Sequence, residues 1–175
     1  MTDRGADGQV GGASGDGHAV GWAGGKQLAD EPPENAMAFT REWRRCCDTA
    51  ERRSRYLSIM PAEVEWWAGC FRTAIDVTIL AQIITSWECA VAVEDAAAAA
   101  AAVRTAACCL IGLGQTERYE LTLDLLSPQE VETLRRLFLR LAAGLEEDQP
   151  LLAQLTDSCY EKYLVKEDVA LSAME

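Results

Sequence analysis

The residue types that most often perform catalysis or bind metals are few in this sequence of 175 residues. Its one histidine, His18, lies in a glycine-rich stretch, which excludes a Ser-His-Asp, Cys-His or histidine-based metal site elsewhere in the chain. The seven cysteines include two adjacent pairs, Cys46-Cys47 and Cys108-Cys109, and no C-x-x-C motif. Neighbouring residues on a helix point about 100° apart, which is poor geometry for binding one metal ion. We therefore predict core cysteines, no metal site and no bound cofactor.

Other catalytic arrangements are equally hard to recognise. The stretch 8–17, GQVGGASGDG, resembles a nucleotide-binding loop in composition only, since no strand is predicted before it and no helix begins in it. The acidic residues are scattered, and no spacing places two of them in one cleft. We predict no catalytic residues and no enzyme. The alternative is a thiol enzyme or small-molecule binder whose pocket is lined by Cys70, Cys108 or Cys109 beside an acidic group.

The composition narrows the class of partner and the compartment. A net charge of −12 argues against binding nucleic acid, which depends on Lys and Arg contacts to phosphates. No apolar stretch approaches the roughly 20 residues of a membrane-spanning helix, and the first 34 residues lack the features of a signal or transit peptide. The odd number of cysteines then indicates reduced thiols. We expect a cytoplasmic protein that binds neither membranes nor nucleic acid.

Three regions of the chain differ in composition. Nine of the thirteen glycines lie within residues 1–25, so residues 1–34 are predicted to be a disordered glycine-rich tail. Residues 35–145 carry helical periodicity and are predicted to form the folded domain. Residues 146–175 are predicted to add a C-terminal helix, over about 150–165, and a frayed end. The predicted fold class is all-α, a compact bundle of about seven short helices.

Helical periodicity begins directly after the glycine-rich tail. Apolar residues recur every three or four positions over 36–54, which predicts one amphipathic helix. Asp76 is predicted to cap a later helix through its side chain. An alanine-rich helix is predicted over 95–113, with Gly112 and Gly114 as its stop signals.

The stretch 118–126 alternates apolar and polar residues, as a strand does, but its neighbours are all predicted helices. A lone strand would leave buried backbone groups unpaired, so we predict a buried central helix there. Ser127, Pro128 and Glu130 then form the pattern of a helix start with a capping box. Gly144 is predicted to end that helix.

Four segments together resemble the C-terminal helical domain of the RNA polymerase II-associated protein 3 family, also called the potential Monad-binding region. They are FTREWRR, RYLSIMP, CFRTAIDVTILAQII and LIGLGQTERYELTLDLLSPQEVETLRRLF, which begin at residues 39, 55, 70 and 110. Their order and spacing carry the resemblance, which covers about 39–141. The same domain occurs in sperm-associated antigen 1 and in coiled-coil domain-containing protein 103.

The resemblance implies a non-enzymatic adaptor that docks on the RuvB-like AAA+ ATPases in an Hsp90 co-chaperone pathway of complex assembly. The alternative within the family is a ciliary factor for the assembly or attachment of axonemal dynein arms, which would act in the cilium or axoneme. Both imply protein partners. No tetratricopeptide repeat is recognisable, so direct recruitment of the chaperone is not expected from this chain.

The arginine-rich face of the predicted helix over 36–54 is the feature most suited to a docking role, because it is a positive patch in an acidic chain. A solvated helix face is the alternative. Neighbouring tryptophans point in different directions, so one of the pair at 66–67 is expected at the surface or in an interface. The predicted partner-contact residues are Arg41, Arg44, Arg45, Trp66 or Trp67, and Arg118. A structural homo-oligomer built on the alanine-rich helix is a further possibility.

Overall fold

The computed structural model describes residues 27–160, and every regular element within that range is helical. The α-helices are α1 (Ala36–Cys46), α2 (Ala50–Ser58), α3 (Val64–Cys70), α4 (Val77–Ala90), α5 (Ala96–Gly114), α6 (Tyr119–Leu123), α7 (Pro128–Gly144) and α8 (Gln149–Leu155), followed by a π-helical turn, π1 (Thr156–Tyr160). The predicted all-α fold is confirmed. The predicted disordered tail lies almost wholly outside the described residues, and the predicted frayed end lies outside them.

Helix α5 is the centre of the bundle. It contacts α3, α4, α6, α7, α8 and π1, and residues 106–113 along it are all buried. In length and composition α5 could cross a membrane, which contradicts the expectation that no apolar stretch is long enough. Half of this apolar stretch is buried inside the bundle. A helix at the centre of a bundle is apolar on most sides because other helices pack against it.

Gly112 lies inside α5 and does not stop it, contrary to prediction, because the helix continues to Gly114. A Cβ atom at position 112 would lie 2.5 Å from the Cβ of Trp67 and 2.6 Å from the carbonyl oxygen of Val64. Both of these residues belong to α3. The missing side chain therefore lets α3 and α5 approach closely, which is a packing role for the glycine.

The predicted helix over 36–54 is two helices. The chain breaks at 47–49, where the Thr49 side chain accepts a hydrogen bond from the backbone N–H of Arg52 at 3.3 Å and begins α2. Apolar spacing continues across the break, since Trp43 and Cys46 before it and Tyr56 after it all face the core. The periodicity was therefore correct about which residues are buried and wrong about the continuity of the helix.

Several predicted helix ends are confirmed. Asp76 caps α4, because its carboxylate accepts hydrogen bonds from the backbone N–H groups of Thr78 and Ile79 at 3.0 and 3.2 Å. Ser127 and Glu130 form the predicted capping box at the start of α7. Helix α7 ends at Gly144, as predicted.

The stretch 118–126 is helical, as predicted, but α6 is short and peripheral and not central. Tyr119 and Leu123 are buried, whereas Leu121 and Leu125 are 63% and 70% exposed. The alternation of apolar residues misled the prediction because two of its leucines lie on the surface.

An aromatic cluster joins α1 to α2, α3 and the residue that follows α3. The ring of Phe39 lies 5.1–6.3 Å, between centroids, from the rings of Trp43, Tyr56, Trp67 and Phe71. All five side chains are almost completely buried. Their contacts hold α1 on the bundle, because the side chains of Phe39 and Trp43 are two of the three that α1 buries.

Beyond residue 145 the chain continues to pack on the bundle. Helix α8 and π1 both contact α5, and Leu151 and Leu155 are buried. The C-terminal helix predicted over about 150–165 corresponds to α8 and π1 as far as residue 160, and the rest of that prediction lies outside the described residues. The division of the chain into a domain ending at 145 and an added segment stays a prediction.

Candidate functional site

A continuous groove runs along the outer face of α4, between α2 on one side and the start of α7 and the start of α5 on the other. We call it the α4 groove, and the residues of α4 that line it include Thr78, Gln82, Thr85 and Cys89. It consists of three adjoining depressions of about 330, 370 and 500 Å³. The first two share Arg53, Thr78 and Gln82. The second and third share Ser54 and Cys89.

The floor of the α4 groove offers little unsatisfied polarity, although several of its side chains are polar. The hydroxyl groups of Thr85 and Ser86 donate hydrogen bonds to the carbonyls one turn earlier, at 2.9 and 2.7 Å. The indole N–H of Trp43 donates to the side-chain oxygen of Gln82 at 2.7 Å, which fixes α1 against α4. The middle of the groove therefore offers a ligand a largely apolar surface.

One end of the α4 groove is charged, because two arginines and two aspartates, Asp48 and Asp76, line it. Arg44 and Arg53 line it, and Arg44 pairs with Asp76 at 3.5 Å while both side chains stay well exposed, at 65% and 43%. An ion pair this exposed contributes little to stability, so a carboxylate of a partner can compete for Arg44 at small cost. Residues 41–55 contain six arginines and three acidic residues, a net charge of +3 in a chain of net charge −12.

The other end of the α4 groove is apolar. Its lining includes Trp87, Val93 and the alanines at 98, 101 and 102 of α5, and no charged side chain contributes to this depression. Trp87 is buried, and its indole N–H has no hydrogen-bond acceptor among residues 27–160. Leu125, which is largely exposed, lines the middle of the groove.

The predicted arginines are at the surface, and one of them reaches the groove. Arg41, Arg44 and Arg45 are exposed on α1, where Arg45 donates to Glu42 at 3.0 Å. Of these three arginines, Arg44 alone is among the residues that line the α4 groove. Arg118 is exposed and directly precedes α6.

Arg118 and Arg44 flank the same connection between α3 and α4. The backbone N–H of Glu117 donates to the carbonyl of Arg72 at 3.5 Å, and the hydroxyl of Thr122 lies 3.4 Å from the carbonyl of Ile75. Asp76, at the end of that connection, is the residue that pairs with Arg44. The start of α6 therefore lies near the charged end of the groove.

The two adjacent tryptophans differ in exposure. Trp67 is 0% exposed, and its indole N–H donates to the carbonyl of Pro61 at 3.0 Å. Trp66 is half-buried and meets Trp67 edge to face, with ring centroids 5.0 Å apart. Trp66 therefore presents part of its ring to solvent. It is not among the residues that line the α4 groove.

The cysteines whose side chains the structure describes are buried, apart from Cys89. Burial raises the pKa of the Cys47 thiol to about 12 and that of Cys70 to about 11, and it also raises the pKa of Cys108. Thiolates, the reactive form, are therefore scarce at these sites near neutral pH. Between residues 27 and 160 no three His, Cys, Asp or Glu side chains lie close enough to hold a metal ion.

The sequence analysis missed most of the α4 groove. A signal for it was present, because α4 is largely apolar yet places Thr78, Gln82, Thr85 and Cys89 four, three and four positions apart. A helix whose small and polar residues recur at that spacing has one face that no other helix covers. The alanines of α5 at the apolar end gave no such signal, since alanine is common in any helix.

Comparison with known proteins identifies the family. Residues 32–131 match the family model of the potential Monad-binding region of RPAP3. A solved structure, the NMR structure of the C-terminal domain of the human RPAP3 protein, matches with a TM-score of 0.52 and 15% sequence identity over 74% of this chain and 91% of that one. At that identity the likeness shows the fold alone. A search of the curated proteins finds no match. The resemblance predicted from the sequence is confirmed, and the chain belongs to the family of the potential Monad-binding region of RPAP3.

Proposed function

We propose that this chain is a non-enzymatic adaptor that docks on RuvB-like AAA+ ATPases in an Hsp90 co-chaperone pathway of complex assembly. The observation that carries the proposal is family membership, since the matched region is described as potentially Monad-binding, which is a protein-binding role. The basic patch beside an open groove suits such a role. The proposed compartment is the cytoplasm.

The proposed contact surface begins on α1. Arg41, Arg44 and Arg45 are exposed there, and exposed arginines in an acidic chain favour a partner with a negative patch. Arg118 adds a positive charge near the same end of the bundle, and Trp66 adds partly exposed aromatic surface on α3. Arginine and tryptophan are enriched among the residues that contribute most to binding energy in protein interfaces.

The alternative of a thiol enzyme has little support from the geometry. The depressions that form the α4 groove are lined by Cys47 and Cys89, and not by Cys70, Cys108 or Cys109. Burial raises the pKa of Cys70 and Cys108, which works against the thiolate that a nucleophile needs.

The test is co-elution of the full chain with the purified RuvB-like hetero-hexamer on size exclusion at moderate salt. We expect co-elution by the wild type and its loss in Arg44→Glu/Arg45→Glu. The matched control is Arg135→Glu/Arg136→Glu on α7, which makes the same charge change at two adjacent arginines that also form ion pairs. This control should still co-elute.

Each other result has a definite meaning. Co-elution that survives the α1 reversal would keep the ATPases as partners and move the contact surface away from α1. Failure of the wild type to co-elute would overturn the ATPase assignment, and binding to axonemal dynein-assembly components would then be tested as the family's alternative.

A further inference from the structure

The segment before α1 folds back along that helix. At the start of α1, the Asn35 side chain accepts a hydrogen bond from the backbone N–H of Ala38 at 3.0 Å. At the end of α1, the thiol of Cys46 donates to the carbonyl of Gln27 at 3.5 Å. Residues 27–34, which read QLADEPPE and form neither helix nor strand, therefore run antiparallel to α1. We call them the N-terminal strap.

Few contacts hold the N-terminal strap on the bundle. Leu28 and Ala29 are half-buried and pack against the apolar core. Within residues 27–160, the bond from the Cys46 thiol to Gln27 is the one hydrogen bond that joins the strap to the rest of the protein. A segment with so few buried apolar contacts and hydrogen bonds opens at a small cost in free energy. The strap can therefore leave the surface while the helices stay folded.

Two prolines prepare the N-terminal strap for an extended conformation. Pro32 and Pro33 have fixed φ angles and no backbone N–H, so they suit neither a helix interior nor a central strand. A residue before a proline, such as Glu31, is also biased towards extended backbone. Pro33 is half-buried, so this part of the strap also touches the bundle. A segment that is already extended loses little conformational entropy when it binds.

Helix α2 lies beside the strap, across a depression of about 330 Å³. The residues that border this depression are Gln27, Leu28 and Asp30 of the strap and Glu51, Arg52 and Arg55 of α2. Charge selects little here, because Arg52 pairs with Asp48 at 3.1 Å and Glu51 lies beside Arg55. The surface under the strap therefore recognises an apolar side chain and an extended backbone, and net charge is secondary.

Cys46 lies under the strap, at the edge of the bundle. Its side chain is 0% exposed, yet Cys47 belongs to the cluster of residues that forms the apolar core and Cys46 does not. The sulfur of Cys46 contacts the Gln27 carbonyl and lies 3.6 Å from the carboxylate of Glu42. Arg45, one of the proposed partner contacts, donates to the same carboxylate at 3.0 Å. The strap therefore covers Cys46 and lies beside the arginine surface of α1.

We propose that the N-terminal strap occupies a docking slot between α1 and α2, and that an extended segment of a partner protein displaces it. The partner segment has the chemistry of the strap itself, an aliphatic side chain followed after three or four residues by proline. The anchor residues Leu28 and Ala29 precede residue 32, where the family match begins, so they add to the matched region. The proposal goes beyond the proposed function, because it holds for any partner that carries such a segment.

The thiol of Cys46 reports whether the strap is in place. The first experiment measures the rate at which N-ethylmaleimide alkylates Cys46 in the full chain, with fragment-ion mass spectrometry to separate it from Cys47. Leu28→Asp removes the apolar anchor of the strap. Leu139→Asp makes the same change at an exposed position of α7 and is the matched control. The exposed thiol of Cys89 is the internal standard for reagent activity.

We expect Cys46 to react about ten times faster in Leu28→Asp than in the wild type. The apolar burial of half a leucine side chain is enough to change the opening equilibrium of the strap by about that factor. The Cys46 rate of Leu139→Asp should equal that of the wild type, and the Cys89 rate should be the same in all three proteins. Equal Cys46 rates in Leu28→Asp and the wild type would overturn the proposal.

The second experiment tests the slot with a separate peptide. A fluorescein-labelled peptide of residues 27–34 is titrated with each full chain, and binding is measured by fluorescence anisotropy. We expect the Leu28→Asp chain to bind it about ten times more tightly than the wild type, because the strap of the wild type occupies the slot. The Leu28→Asp peptide should not bind up to about 1 mM, the effective concentration that a short tether provides.

Equal affinity of the peptide for both chains, or binding to neither, would overturn the docking slot. Neither result affects the co-elution test of the proposed function. Failure to co-elute with the ATPases leaves the Cys46 rates and the peptide affinities unchanged, so the two proposals fail separately.

Discussion

Gly112 shows how one residue determines the distance between two helices. Helix α5 passes α3 so closely that a Cβ atom at this position would overlap the Cβ of Trp67 and the carbonyl oxygen of Val64. Both of those atoms lie close to or in the main chain, and neither can rotate away. The close approach is therefore a property of the glycine itself.

Gly112→Ala is expected to destabilise the protein by about 1–3 kcal/mol, because the added methyl group must separate α3 from α5. The matched control is Gly69→Ala, where a Cβ atom would meet nothing within 4 Å. Gly69 lies in α3, so the control should gain up to about 1 kcal/mol from higher helix propensity. Urea unfolding of both variants measures the difference, and equal midpoints would contradict the packing role.

At the level of secondary structure, the sequence predicted the ends of helices best. The caps at Asp76 and Ser127 were predictable because each side chain binds backbone groups two or three residues away. Such a contact depends on local sequence alone. The break at 47–49 was not predictable from periodicity, because the apolar spacing continues through it and only the cap at Thr49 marks it.

The capping box of α7 gives a prediction at this scale. Ser127→Ala should cost about 1 kcal/mol of stability, because its side chain accepts a hydrogen bond from the backbone N–H of Glu130. Ser127→Thr keeps an acceptor and should recover most of this loss. Urea unfolding at neutral pH is the measurement. A Ser127→Ala variant as stable as the wild type would show that the capping box does not stabilise α7.

The second hydrogen bond of the capping box should make a contribution to stability that depends on pH. The backbone N–H of Ser127 donates to the carboxylate of Glu130 at 2.7 Å, which lowers the pKa of Glu130 from its ordinary 4.5. A group whose pKa is lower in the folded state contributes stability above its unfolded pKa and loses it as the pH falls. Glu130→Ala should therefore destabilise at pH 7, and the difference from the wild type should shrink as the pH falls below 4.5.

At the scale of the whole molecule, the bundle does not end with α7. Helix α8 and π1 contact α5, and Arg104 of α5 forms an ion pair with Asp148 just before α8. The sequence predicted a helix after residue 146 but not the helix against which it packs. That choice depends on which face of α5 the other helices leave uncovered. The α4 groove was missed for the same reason.

Leu155→Ala tests how far α8 contributes to the common core. Leu155 is completely buried, so its truncation should cost about 2–4 kcal/mol. Leu139→Ala is the matched control, since Leu139 lies exposed on α7 and its truncation should change stability by less than about 0.5 kcal/mol. A single cooperative unfolding transition is expected for both. A Leu155→Ala variant as stable as the control would mean that α8 is an appendage.

The aromatic cluster around Phe39 has an optical consequence. Its five rings are held at fixed separations in one asymmetric arrangement, so they should give an intense circular dichroism signal in the near ultraviolet. Helical backbone reports separately in the far ultraviolet. If heating abolishes the first signal while the second persists, α1 has separated from α2 and α3 before the helices themselves unfold, and no added label is needed to observe it.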